Sequence, residues 1–117
     1  MNHHEKLNYV EFAANNLPAT KAFFQSAFNW TFADYGPEYI AFSNEGLDGG
    51  FFKADMTSTT DKGGALLVFY SNALEATQAK VEKAGGKVNK PIFAFPGGWR
   101  FHFVEPSGNE FAVWSDL

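Results

Sequence analysis

The sequence predicts an α+β fold made of two tandem βαβββ modules, and three observations carry that prediction. Runs with a period of two and runs with a helical period follow each other in the order strand, helix, three strands, and the order occurs twice. A shift of 57 residues, close to half of the 117-residue chain, lays FAANNLPATKA (12–22) over FYSNALEATQA (69–79). Phe12 then falls on Phe69, Asn15 on Asn72, Leu17 on Leu74, Ala19 on Ala76, Thr20 on Thr77 and Ala22 on Ala79. Between the copies lies ADMTSTTDKGG (54–64), polar, small and glycine-terminated, the single linker-like segment.

The elements follow in order. LNYVEFAA (7–14) alternates, with Val10 and Phe12 on one face and Tyr9 and Glu11 on the other. Asn16 suits an N-cap and Pro18 the first turn of a helix over about 17–27, whose stripe holds Leu17, Phe24 and Phe28. Short strands are expected near 30–35, 39–43 and 49–53, parted by Gly36-Pro37 and Asn44-Glu45-Gly46. ALLVFYS (65–71) reads as a strand. A helix over 74–84 places Leu74, Thr77, Val81 and Ala84 on one face and stops at Gly85-Gly86. Strands near 87–94, 99–104 and 110–115 complete the chain, with turns at Pro96-Gly97-Gly98 and Pro106-Ser107-Gly108.

Composition narrows the partners. A net charge of -4, with only nine Lys and Arg spread along the chain, argues against nucleic acid and against an anionic membrane surface. The absence of cysteine removes disulfides and thiolate chemistry and suits a reducing, cytoplasmic setting. MNHHEKLNY has no apolar core of a signal peptide, and no run reaches membrane-spanning length. Fourteen Phe are a high count, and such rings fill a core, line an apolar cavity or bury in a subunit interface, so the excess fits more than one outcome.

VEFAANNLPATKAFFQSAFNW, with Asn16-Leu17, KAFF (21–24) and Phe28-Asn29-Trp30, resembles the opening of a glyoxalase/bleomycin resistance/dioxygenase domain of the vicinal oxygen chelate superfamily. LLVFYSNALEATQAKVEKAGGKV resembles the start of the second module, and RFHFVEPSGNEFAVWS its closing hairpin. The resemblance spans the chain and implies one glyoxalase-like domain over 1–117, made of module 7–53, linker 54–64 and module 65–115. It further implies mixed sheets curled into a half-barrel, helices on the convex side, a pocket on the concave side, and a homodimer. The family's members range from lactoylglutathione lyases and dioxygenases to metal-free proteins that sequester antibiotics, so fold alone does not choose the function.

Metal-dependent members hold a divalent ion on paired strands with His and Glu. Carried over by spacing, those positions fall on Tyr9, Gly50, Leu66 and Ala112, three of which have no side-chain donor. Hence no metal and no cofactor is predicted; a divalent metal remains the alternative. Alternation assigns Val10, Phe12, Leu67, Phe69, Phe101, Phe103, Phe111 and Val113 to the face under the helices. The opposite, ligand-binding face then holds Tyr9, Glu11, Leu66, Val68, Tyr70, Arg100, His102, Glu110, Ala112 and Trp114. Glu11 would meet Arg100 or His102 there, and Glu110 would sit exposed at its strand end. Glu11 and His102 are the candidate acid–base residues, with Glu110 a third member of any displaced metal site.

Three functions compete on this reading. The first is a metal-independent protein that binds a small organic ligand as a homodimer. The second is a lyase or isomerase, lactoylglutathione-lyase-like or dioxygenase-like, using Glu11, His102 and Glu110. The third is a structural dimerisation module with a filled half-barrel.

Overall fold

The computed structural model describes residues 2–117 and contains both modules in the expected order. The first consists of β1 (Tyr9–Ala14), α1 (Leu17–Phe28), β2 (Phe32–Asp34), β3 (Tyr39–Phe42) and β4 (Asp48–Lys53). The second consists of β5 (Leu67–Tyr70), α2 (Leu74–Lys83), β6 (Lys87–Phe95), β7 (Gly98–Val104) and β8 (Glu110–Ser115). Each module forms a four-stranded mixed sheet, ordered β1-β4-β3-β2 and β5-β8-β7-β6. The first and last strands of each module pair in parallel, and the remaining neighbours are antiparallel. No helix is long and apolar enough to cross a membrane among the described residues.

Local chemistry explains the helix ends. The Asn16 side chain accepts the Ala19 N–H at 3.1 Å, and Pro18 costs the first turn no hydrogen bond. Asn29 takes a left-handed conformation and stops α1. The second copy has diverged here: Ala73 stands at the N-cap of α2 with no side-chain cap.

Both sheets turn their apolar faces into one shared core, and α1 lies between them. Phe24, fully buried, meets Phe51 of β4 at 5.6 Å and Phe111 of β8 at 5.3 Å. Phe23 meets Phe103 at 5.6 Å, Phe28 stacks on Phe69 at 4.2 Å, and Phe12 reaches Phe111 at 5.1 Å. Most of the Phe excess is therefore core. Each such ring contributes about 1.5–3 kcal/mol by leaving water.

A polar stitch crosses the same boundary. The closing turn places Glu105, Ser107 and Asn109, all buried, against the start of α1. Thr20 donates to Glu105 Oε1 at 2.7 Å, and its hydroxyl lies 2.6 Å from Ser107 Oγ. Asn16 N–H donates to Ser107 Oγ, whose hydroxyl lies 3.2 Å from the Asn16 carbonyl. Asn109 Nδ2 bonds both the Ala13 carbonyl and Glu105 Oε2 at 2.8 Å. Gly108 makes the turn possible with φ of +97°, where a side chain would be strained and would also press on Thr57. Glu105 has no cationic partner among the described ion pairs, so these donors must satisfy its buried oxygens.

Segment 54–64, expected to be a flexible linker, is tied down. Ser58 N–H donates to Asn109 Oδ1 and the Ser58 carbonyl accepts the Glu110 N–H, each at 2.9 Å. A short 3-10 turn, Thr60–Lys62, then lies over the head of β8.

Candidate functional site

Because the apolar faces share the core, the candidate side chains fall on two separate outward faces, one per sheet. On the first sheet Glu11 pairs in register with Gly50. Tyr39, from β3, donates its hydroxyl proton to Glu11 Oε2 at 2.9 Å. That leaves Tyr9 to donate to the Tyr39 oxygen at 2.5 Å, a chain of two phenols ending on one carboxylate. Burial first, then these bonds, push the Tyr39 hydroxyl well above the ordinary tyrosine range, so it stays protonated. The Tyr39 ring also lies over Gly50: a Cβ there would come within 2.1 Å of its hydroxyl oxygen.

The second outward face is organised in cross-strand rows. Tyr70, Trp114, Arg100 and Phe93 are successive partners across β5, β8, β7 and β6. Val68, Ala112, His102 and Lys90 form the next row. The β6 register shifts on either side of Lys90, opposite His102. One shift frees Asn89 to reach Glu110 Oε2 at 3.3 Å.

His102 Nδ1 lies 2.8 Å from Glu110 Oε2, and both residues are buried, at 1% and 3% exposure. Glu110 Oε1 takes the Thr60 N–H at 2.7 Å and the Thr60 hydroxyl at 2.8 Å. Burial alone would push the Glu110 carboxyl up. The Thr60 N–H, His102, the Thr60 hydroxyl and Asn89 outweigh it and hold the group at about 2. An ionised Glu110 needs a donor, which fixes a proton on His102 Nδ1; in the neutral ring Nε2 keeps the lone pair. Nε2 is sealed from solvent and has no hydrogen-bond partner.

Arg100, the single arginine of the chain, lies with its guanidinium carbon 5.5 Å from the Phe93 ring centre and 5.4 Å from that of Phe95. Its Nε is buried without a partner, and no carboxylate pairs with it among the described residues. Beside this face, between the two sheets, opens a cleft of about 680 Å³ lined by Val10, Leu47, Leu66, Val68, Tyr70 and apolar core residues, with Glu45 at its mouth. Burial raises the Glu45 carboxyl above its ordinary value. Val68 and Tyr70 belong to both cleft and outward face.

Several expectations change. Glu11 bonds Tyr39 of its own sheet, not Arg100 or His102 of the other. Glu110 is buried rather than exposed, because the 54–64 segment folds over it. The register pairs Gly50 with Glu11 and Ala112 with Val68. Tyr39, Thr60, Phe93 and Phe95 were missed. Only Phe93 and Phe95 carried a sequence signal, their spacing of two, which the bulges detach from any fixed face.

The donor set does not fit the family's metal. At the paired positions stand Gly50, Val68 and Ala112, which offer no side-chain ligand, and the space above Gly50 belongs to Tyr39. Glu11 remains a single carboxylate, engaged by a phenol. No group of three or more His, Asp or Glu side chains could hold an ion among the described residues.

Residues 6–113 match the sequence model described as the Glyoxalase/Bleomycin resistance protein/Dioxygenase superfamily. Comparison with curated proteins gives no match. Among solved structures, the chain is similar to a glyoxalase/bleomycin resistance protein/dioxygenase family enzyme from Burkholderia phytofirmans. The TM-score is 0.80 at 19% identity, over 96% of this chain and 99% of that one. It is similar to a lactoylglutathione lyase from Agrobacterium tumefaciens, with a TM-score of 0.71 at 17% identity over 95% and 93%. A fosfomycin resistance protein from Listeria monocytogenes, complexed with Mn(II), gives 0.78 at 17% over 96% and 90%. At these identities the likeness is one of fold.

Proposed function

The chain belongs to the glyoxalase/bleomycin resistance protein/dioxygenase superfamily, and from that premise we propose that it binds a small organic ligand without a divalent metal. The observation that carries the reading is Tyr39 over Gly50, which converts a ligand position of the fold into a hydrogen-bonded phenol. The binding surface is the outward face of the second sheet together with the adjoining cleft, whose volume of about 680 Å³ suits a small molecule. Half-exposed Tyr9, Val68 and Tyr70 leave apolar area on both outward faces, which supports a homodimer in which a second copy closes the groove.

The test has two arms. Purified protein is assayed for bound Ni, Zn, Fe and Mn, and its melting temperature is followed across a panel of small organic compounds. The reading expects substoichiometric metal, no gain of melting temperature on adding metal, and specific stabilisation by one compound class. Stoichiometric metal lost on Glu11→Ala would overturn it, as would a panel that shifts nothing.

A second reading, acid–base lyase or isomerase chemistry, is favoured by one observation: a buried imidazole held by an ionised carboxylate. Against it, His102 Nε2 is sealed from solvent, so a substrate would reach it only after a rearrangement. Turnover of any substrate abolished by His102→Gln but not by Arg100→Met would establish it.

A further inference from the structure

We propose that the row Tyr70–Trp114–Arg100–Phe93 is the recognition site for an aromatic carboxylate, so that the ligand of this protein is an aryl acid; this rests on the reading of the second sheet's outward face as a ligand surface. Arg100 is the first argument. A guanidinium on an apolar, aromatic surface is normally matched by a carboxylate. Here none of the ion pairs involves Arg100, and its Nε has no acceptor at all. Phe93 and Phe95 hold it instead, through ring faces that fix the position of the cation and leave its hydrogen-bonding capacity unused.

The second argument is what stands beside it. Trp114 is the cross-strand partner of Arg100, and Tyr70 the partner of Trp114. Tyr70 packs on Trp114 edge to face with ring centres 5.1 Å apart, and Phe95 reaches Trp114 from the other side at 6.2 Å. Tyr70 is 52% exposed and Phe93 36%. A planar apolar group resting on Trp114 lies one strand spacing, ~4.8 Å, from the strand that carries Arg100. A carboxylate carried on that group can be directed at the guanidinium. Ring stacking and a charge-assisted bond to the same small molecule are therefore available together.

The third argument is selectivity. The chain is acidic overall, at -4, so long-range attraction does not bring anions here. An anion that binds must be selected by a local cation, and Arg100 is the one guanidinium available. On the same face His102 is engaged by Glu110 on its Nδ1 side and sealed on the other, and Lys90 stands one row away opposite His102, so Arg100 is the cation set among the aromatic rings of this row.

The test compares acids with their neutral isosteres. Benzoate and indole-3-carboxylate are titrated into the full chain by calorimetry beside benzamide and indole-3-carboxamide, with intrinsic tryptophan fluorescence as a second signal. Wild type, Arg100→Lys and Arg100→Met are compared; Met keeps an apolar stem across Phe93 and Phe95. The acids are expected to bind at least tenfold tighter than the amides, and to weaken when salt is raised. Arg100→Met is expected to bring the ratio near one, and an unfolding midpoint close to that of wild type shows that the variant is folded. Arg100→Lys should retain part of the preference.

Equal affinity of acid and amide for wild type, or a preference that survives Arg100→Met, overturns the aryl-acid assignment while leaving the ligand surface intact. If no aromatic compound of either kind binds, and Arg100→Met instead lowers the sedimentation mass, the row is a contact between two copies. That result overturns both the assignment and the ligand surface.

Discussion

Tyr39 stands where a side chain at position 50 would have to project: a Cβ built on Gly50 would lie 2.1 Å from the Tyr39 hydroxyl oxygen and 2.4 Å from Cζ. The two residues exclude one another, and the glycine is what allows the phenol to reach Glu11. The missing side chain at position 50 and the phenol–carboxylate bond are thus one structural feature.

Gly50→Ala is therefore expected to destabilise the protein by about 1–3 kcal/mol through overpacking. Adding Tyr39→Ala should remove most of the clash, so the double variant will be more stable than the sum of the two single changes. Urea unfolding of all four proteins measures this coupling. Strict additivity would mean that the phenol moves aside without cost.

Glu110 predicts an acid-sensitive contribution to stability. Its carboxyl is held at about 2 against an ordinary 4.5. A carboxyl depressed in the folded state stabilises above its unfolded value and loses that contribution as pH falls through the folded one. The window is thus pH 4.5 down to 2, and the size is roughly 3 kcal/mol at neutral pH. Glu110→Gln should cost about that much at pH 7, with the gap to wild type closing as pH drops from 4.5. A gap that stays constant with pH would contradict the assigned ionisation.

The polar stitch is tested by Thr20→Val, which keeps the shape and removes the hydroxyl. It leaves Glu105 Oε1 and Ser107 each short of a buried partner, so a loss of about 1–3 kcal/mol is expected in equilibrium unfolding. Thr77→Val, at the matching position of α2, touches only the half-buried Ser71 and should cost much less. Equal costs would deny the asymmetry between the modules.

Phe24→Ala should be among the costliest core changes, at about 3–5 kcal/mol. Phe24 is fully buried and packs against rings of both sheets. Both modules should lose stability together, so hydrogen exchange would accelerate in β4 and in β8 alike. Acceleration confined to β4 would show that the sheets fold independently.

Much of this fold was legible because its signals are local. Asn16 and Pro18 mark a helix start, Gly85-Gly86 a stop, and alternation separates Phe111 and Val113 from Ala112 and Trp114. Alternation fixes the parity of a strand but not its offset from a neighbour. Spacing alone therefore does not show that the partner of Gly50 is Glu11, two residues from Tyr9 on the same face. The relative orientation of the sheets was equally invisible, since the sharing of one core by Phe24, Phe51 and Phe111 depends on contacts distant in sequence. Glu110 was misplaced for a related reason. The polar composition of 54–64 suggested mobility, whereas Thr59 and Thr60 use that polarity to cap a buried carboxylate and close a turn.

The stitch at the closing turn bears on the order in which the protein is made. Asn16 and Ser107 are bonded across 91 residues of chain. During synthesis the first module emerges long before the turn that secures its helix exists. Until then the Thr20 hydroxyl, the Asn16 N–H and the Ala13 carbonyl lack the partners that the closing turn supplies, and Phe24 has only one of its two sheets. The nascent first half is thus an unfinished body, exposed to premature association with other chains. The first half thus draws the last of its hydrogen-bond partners from the second.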